Sequence, residues 1–584
     1  MRNGRGNYDF AYAGLGALIN FATATSADGG RQITASPISE SVPGVDRQWN
    51  VFSSDDTVFL SYNQVFPRAI TVQKSTDAGL TYGTPRVISP NPSFPGPIRA
   101  LPPSDNPTNN GKPVVYYPWT QGNNVRLAVS LNEGRNWNNC TAATTQGEPG
   151  VLFPVADHDR DGNIYLVYGD EADFKIRMTT LRVGRLPNCN GGTDAGNPRL
   201  KDNPGFTAPV VVDRDKVRTA VFPWIAAGGA PGRVAVAFYG TETSGRADSP
   251  SPKTWNVYVN QSLNALSSDR TFSQVKATTH PNHYDQICLF GLACSTGGDR
   301  SLVDFFAIDY NPENGEVAVV YNRAHKRPGD AAGLVSSSIV FHQIAGPSNK
   351  GGNVRRNEPA AVRTSSNDPT GDALSDYSSL FPAGPKGTRN NVPAADFVSH
   401  KIGAQKDFGT DPDGGFTVTM KLDDLSNTAL TTALAETNPP SGSLLWIFRF
   451  VDGYRYAAAS ARWNPAQGFS YGFNGYVGSG GECGSAQTPN DGDQCLYYPG
   501  NTPLQGRVNQ EAGTIEISVP RRLLTELVGS QGPGRTPDEI PARPGARIYT
   551  AAAFSVGNAS PAPGVQSFLL PLDNTPAMDF RLPR

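Results

Sequence analysis

Residues 56–82 read DTVFLSYNQVFPRAITVQKSTDAGLTY, and this stretch decides the fold. A β-type run, Asp56 to Tyr62, ends in tyrosine. A second run follows from Ala69 to Lys74, and then a polar turn from Ser75 to Tyr82. In Ser-x-Asp-x-Gly-x-Thr-aromatic, the Ser hydroxyl and Asp carboxylate can take backbone N–H groups of a tight hairpin. The Gly can take a positive φ. The aromatic can pack beneath.

The same three parts recur outward from this stretch. Upstream are Asp9 to Tyr12, Leu18 to Phe21 and Ser26 to Gly30. Downstream are Val114 to Tyr117, Val125 to Val129 and Ser130 to Trp137. The strand ending in Tyr returns at Tyr168, Tyr239 and Tyr321. Anchored on Tyr12, Tyr62, Tyr116, Tyr168, Tyr239 and Tyr321, the steps are 50, 54, 52, 71 and 82 residues. Repeats of this period, made of short β runs bounded by Gly, Asp, Asn and Pro, predict an all-β fold: a six-bladed β-propeller. The first unit lacks an inner strand before it, and residues 351–362 are a candidate closing segment.

Composition agrees. There are 62 glycines and 49 prolines among 584 residues, against a usual combined share of about 12%. Charged residues make up 17%. Turn-formers at this level exclude a helix bundle, and the absence of a strict glycine period excludes collagen. Net charge is −2 with no basic stripe, which argues against nucleic acid. No apolar run is long enough for a membrane span. The six cysteines favour three disulfides and an oxidising compartment, with free buried thiols as the alternative. The first 25 residues show no signal peptide, which a trimmed or mature sequence would reconcile.

The polar turn resembles the Asp-box, or BNR repeat, of sialidase-like propellers. Ser75 to Tyr82 matches throughout if Tyr stands for Trp. Ser130 to Trp137 has Asn132 for Asp and Asn136 for Thr, and Ser26 to Ile33 keeps only Ser, Asp and Gly. The resemblance covers roughly residues 1–350 and implies a propeller over 1–360. In that family the site lies in the central channel, with three arginines on the substrate carboxylate, a Tyr–Glu nucleophile pair and an Asp acid. The first arginine sits in F/Y-R-I-P before the first Asp-box. Here Asp46-Arg47-Gln48-Trp49 holds that place without the I-P. Arg47 is therefore a candidate clamp, since guanidinium binds carboxylate bidentately. A structural Arg paired with Asp46 or a channel carbonyl is the other reading.

Arg99, Arg218 and Arg300 stand at similar strand entries. If they converge with Arg47, the channel suits an acidic sugar. Asp304 and Glu242 are carboxylates near blade entries or hairpin ends, while Tyr168, Tyr239 and Tyr321 read as packing residues. Asp157, Asp159 and Asp161 form D-x-D-x-D-G-N, which can wrap a structural Ca²⁺ or make a metal-free D-G hairpin. Asp368 and Asp372 offer a second Ca²⁺ reading. His280 to Asp285 has metal-like spacing but reads as a disulfide-pinned loop. No required cofactor is expected.

Residues 361–584 read as a second domain opening with Asn367-Asp368-Pro369-Thr370-Gly371-Asp372. Strand-like runs lie at Phe416–Leu422, Leu444–Phe450, Tyr454–Ala458 and Thr514–Val519, and Arg521–Leu527 reads as a short helix. The pattern resembles an accessory, jelly-roll-like β-sandwich of secreted enzymes. Two functions follow. One is a secreted exo-sialidase-type glycoside hydrolase with a glycan or cell-surface polysaccharide as partner. The other is a non-catalytic surface, adhesion or assembly protein, self-associating through edge strands.

Overall fold

The computed structural model describes Phe10 to Pro583 except 17–19, 27–33, 41–44, 65–67, 91–93, 102–110, 151–152, 190–200, 203–204, 279–280, 290–298, 303–305, 325–335, 355–361, 374–389, 410, 413, 438–439, 453–454, 477–501, 525–543 and 560–567. Two compact units emerge, one holding Met1–Ala324 and Ser336–Asn357, the other Glu358–Arg584.

The first unit is built from antiparallel meanders. Phe10–Gly16, Asn20–Ser26 and Thr34–Glu40 form one sheet, and Val45–Phe52, Val58–Gln64, Ala69–Ser75 and Arg86–Pro90 the next. Sheets follow that begin with Arg99–Leu101, Val155–His158, Thr219–Ala226 and Ala307–Tyr310. These first strands lie side by side in chain order. The second strands Val58–Gln64, Val114–Gln121, Ile164–Asp170 and Val234–Thr241 are buried over most of their length on both faces. Sheets stacked face to face require this, and it explains the apolar runs that end in Tyr. Tyr62, Tyr116, Tyr168, Tyr239 and Tyr321 are all buried.

The polar turn forms as its chemistry dictates. The N–H of Gly79 donates to Ser75 Oγ at 2.9 Å and that of Thr81 to Asp77 Oδ1 at 2.9 Å. At the second copy, Gly134 N–H reaches Ser130 Oγ at 2.8 Å and Asn136 N–H reaches Asn132 Oδ1 at 2.8 Å. A third copy escaped the sequence reading. In it, Asn264 Oδ1 accepts from Thr271 N–H at 2.9 Å, across a longer loop. The Ser26–Ile33 copy falls largely outside the described residues. The N–H of Ala78 also donates to Asp56 O at 2.9 Å. These turns therefore share an end with the first-to-second-strand hairpins. The second-to-third-strand hairpins and the entries to the first strands occupy the opposite end.

Asn353–Val354 pairs with Gly346–Pro347, and Asn349 beside it bonds Ala226 O and Gly315 O. Asn353–Val354 thus makes its own ribbon with Gly346–Pro347 and does not extend the Phe10–Gly16 sheet, and Val362 forms a bridge with Asp579. Cys140 and Cys189 form a disulfide, and Cys288 is disulfide-bonded. Cys294, Cys483 and Cys495 lie outside the described residues.

In the second unit, a five-stranded sheet runs Ser365–Asn367, Phe397–Ala404, Gly415–Leu422, Thr514–Pro520, Gln505–Asn509. A larger antiparallel sheet centres on Ser441–Asp452 and Arg547–Ala559. Both face one core, where Phe416 of the first sheet meets Phe450 and Phe580 at ring distances of 5.9 and 5.7 Å. A helix absent from the sequence reading, Asn427–Glu436, starts where Ser426 Oγ accepts from Ala429 N–H. It buries Leu430, Ala433 and Leu434. Of the expected helix, Arg521–Leu524 is described and is helical. Among the described residues no helix is long and apolar enough to cross a membrane.

Candidate functional site

Between the sheets that begin with Val155–His158 and Thr219–Ala226 opens a small cleft, with about 30 Å³ of room for solvent. It sits at the end of the first unit opposite the polar turns. One wall is the hairpin joining Ile164–Asp170 to Lys175–Leu181, and another is the start of Thr219–Ala226. Arg246 and Ala247 come from the loop after Val234–Thr241, and Leu289 follows the bonded Cys288.

The cleft joins a carboxyl pair in contrasting environments. Burial works against an ionised Asp170, but N–H groups of Ala172, Gly147 and Gln146 and the guanidinium of Arg177 hold its carboxyl below the usual range. Asp170 braces the hairpin. For the adjacent Glu171, burial pushes the carboxyl up, against the pull of Arg246, and the nearby charge of Glu148 adds to the rise. Glu171 Oε2 accepts from Arg246 at 2.7 Å, while Oε1 is buried without a hydrogen-bond partner. Titratable neighbours driven apart in this way are a signature of acid–base sites.

The backbone adds a second mark. Phe174 and Phe222, both lining the cleft, have φ of 59° and 58°. Bulky residues in the left-handed region cost about 1–3 kcal/mol each, and such strain clusters at functional sites. Phe222 sits at a bulge that shifts the pairing between Val221 and Trp224.

None of the four predicted arginines lines this cleft, and each has different surroundings. Arg47 also sits at a bulge, with φ 56°, and its Nε lies 3.8 Å from Asp46. Its guanidinium lies over Phe94 and Phe153 at 5.2 and 5.0 Å, an aromatic seat for the cation. Arg99 faces Asp157 at 3.9 Å. Arg218 is exposed, immediately before the cleft residue Thr219, with its N–H on Thr241 O. Arg300 is half-buried and follows Asp299, whose carboxylate bonds Ser301. Glu242 is exposed, and Asp304 lies outside the described residues.

The D-x-D-x-D-G-N segment makes a hairpin turn. Asp159 accepts from the N–H groups of Asp161 and Asn163, the Asn163 amide and the Tyr165 hydroxyl. Asp157 accepts from Ala227 N–H at 2.7 Å. Asp161 is exposed. With Asp157 and Asp159 bound elsewhere, the triplet does not gather around a cation. Among the described residues, the carboxylates that do gather are Asp368, Asp372 and Asp573, within 4.8 Å of one another. His280 is outside the described residues, and His283 Nε2 lies 3.1 Å from Gln286 O. Burial drives the Tyr168 and Tyr239 hydroxyls well above their ordinary range, which suits packing and not a nucleophile.

Sequence reading missed Glu171 and Arg246, since nothing local marks them. It also missed a legible signal: Phe94-Pro95 and Phe153-Pro154 precede first strands, and Phe222-Pro223 stands at the bulge within one. Phe153 packs edge-on against Trp49 at 5.0 Å and Trp224 at 6.4 Å, an aromatic lining that the repeat supplies.

No protein-family model matches the chain, and no curated protein matches it. Among solved structures it is similar to the Hadza microbial sialidase Hz136, at 13% identity and TM-score 0.32, over 54% of this chain and 60% of that one. It is similar to the intramolecular trans-sialidase of Ruminococcus gnavus, at 11% identity and TM-score 0.36, over 58% of this chain and 93% of that one. An exo-1,5-α-L-arabinanase from a bovine ruminal metagenomic library aligns at 14% identity and TM-score 0.27, over 53% and 96% of the two chains. The chain thus spans less than two thirds of the length of Hz136.

Proposed function

We propose that this is an extracellular, glycan-directed protein in which a six-bladed Asp-box propeller presents the cleft and a β-sandwich serves as accessory domain. The cleft acts as a glycoside hydrolase site. The observation that carries this reading is Glu171: a half-buried carboxyl with a raised affinity for its proton, one oxygen buried and unpaired, in a cleft with strained aromatic walls. Protonated Glu171 donates to the glycosidic oxygen. Glu148, exposed beside it, is the second carboxyl group, which activates water or attacks the sugar. Two carboxyls in unlike environments are the usual equipment for this reaction. Arg246 binds an acidic or hydroxyl-rich group, and Phe174 and Phe222 pack on the sugar face. The disulfides support an oxidising compartment.

The test is hydrolysis of a panel of fluorogenic glycosides, including sialosides and arabinosides, by the purified full chain. Glu171→Gln should lower kcat by about 100-fold or more, as loss of a general acid does. Arg47→Ala should stay within a few-fold of the parent. If no glycoside is turned over while glycans still bind in an Arg246-dependent way, the cleft is a binding site and the non-catalytic reading replaces this one.

A further inference from the structure

We infer that the second unit holds a Ca²⁺ ion between Asp368, Asp372, Asp396 and Asp573. Three chain segments, remote in sequence, bring these side chains together. Asp368 and Asp372 flank the loop that opens the unit. Asp396 precedes the strand Phe397–Ala404, and Asp573 lies in Phe568–Asn574. The segments are knitted by hydrogen bonds. The N–H of Gly371 donates to Asp396 Oδ2 at 2.7 Å, and the N–H of Phe397 donates to Asp573 Oδ2 at 2.7 Å. The N–H of Asp368 donates to Val398 O at 2.9 Å. Oxygens of Asp368, Asp372 and Asp573 fall within 4.8 Å of one another, the span of a cation's first coordination sphere.

A second observation comes from Asp396, whose charge acts on Asp368 and Asp573. Asp396 is wholly buried. Its Oδ2 is held by Gly371 and Asn391, which leaves Oδ1 buried without a partner. Asp368 Oδ2 is likewise buried and unpaired. Among the described residues no Lys or Arg pairs with any of the four. A buried carboxylate oxygen with no donor is costly unless a cation meets it. The like charges of Asp573, Asp372 and Asp396 crowd Asp368. That crowding is what a divalent ion relieves. A set made only of carboxylate oxygens, from a loop and strand ends, suits a hard cation that accepts irregular geometry.

The experiment uses the full chain, stripped with chelator and titrated with CaCl₂ by calorimetry and by thermal unfolding. The expected result is one site and a rise in melting temperature of about 5–10 °C at hundredfold excess over Kd. Asp372→Asn, at an exposed position, should fold normally and weaken binding at least tenfold. Asp161→Asn should leave binding intact. Absence of calcium-dependent heat and shift overturns the site. So does binding unaffected by Asp372→Asn, or lost in Asp161→Asn. Equal affinity for Mg²⁺ overturns the assignment to calcium.

Discussion

Arg246 Nη1 and Glu171 Oε2 meet at 2.7 Å, although they belong to hairpins of two neighbouring sheets. The pair does two things. It ties the sheets together across the cleft mouth, and it restrains the upward pull that burial exerts on Glu171. Removing the guanidinium therefore lets Glu171 hold its proton to higher pH. In a pH–rate profile, Arg246→Ala should move the alkaline limb upward relative to the parent, while Glu171→Gln abolishes that limb. A limb unmoved by Arg246→Ala would separate Glu171 from the proton-donor role.

Asp159 offers a test of the turn reading against the metal reading. Its buried carboxylate gathers the Asp161 and Asn163 N–H groups, the Asn163 amide and the Tyr165 hydroxyl, the last at 2.5 Å. Asp159→Ala strands these donors and should cost roughly 3–5 kcal/mol of stability in urea unfolding. The loss should be the same with and without added Ca²⁺.

Gly134 and Gly122 both have positive φ, 80° and 52°, but different surroundings. A Cβ at Gly134 would lie 2.5 Å from Phe59 Cε1, whereas one at Gly122 meets nothing within 4 Å. Phe59 is fully buried and has no room to yield. Gly122→Ala should cost about 1 kcal/mol, the backbone penalty alone. Gly134→Ala adds overpacking and should cost about 2–4 kcal/mol. Equal midpoints in denaturant would contradict the packing account.

His400 makes the second unit sensitive to acid. Burial lowers its imidazole to about 4, with Nδ1 set 2.8 Å from Thr575 Oγ1. The unfolded chain takes up the proton near pH 6.5 and the folded chain only near 4. This contribution is complete above pH 6.5, falls between 6.5 and 4, and is gone below. Its size is on the order of 2–3 kcal/mol. Chemical denaturation of the parent and of His400→Asn should show stabilities that converge as pH drops through that window.

Much of the first unit was legible because its information is local. Ser75, Asp77, Gly79 and Thr81 form their turn from contacts within eight residues, so the pattern and the hydrogen bonds coincide. The third turn was hidden because extra residues separate Asn264 from Thr271, which breaks the spacing while leaving the bond intact. Arg47 was placed correctly at a strand entry, yet its role depends on Phe94 and Phe153 from later sheets. The helix Asn427–Glu436 was missed because its apolar face is short and rich in Ala and Thr.

From the sequence alone came the all-β character, the period, the buried tyrosines and the turn-rich composition. Each is a property of neighbours along the chain. The tertiary structure decided which charged groups meet. It set Glu171 against Arg246 across 75 residues and Asp368 beside Asp573 across 205, and it gave Asp157 the Ala227 N–H and Asp159 the Tyr165 hydroxyl as partners. Packing of separate sheets makes these encounters, and each side chain's role follows from the burial and partners it finds there.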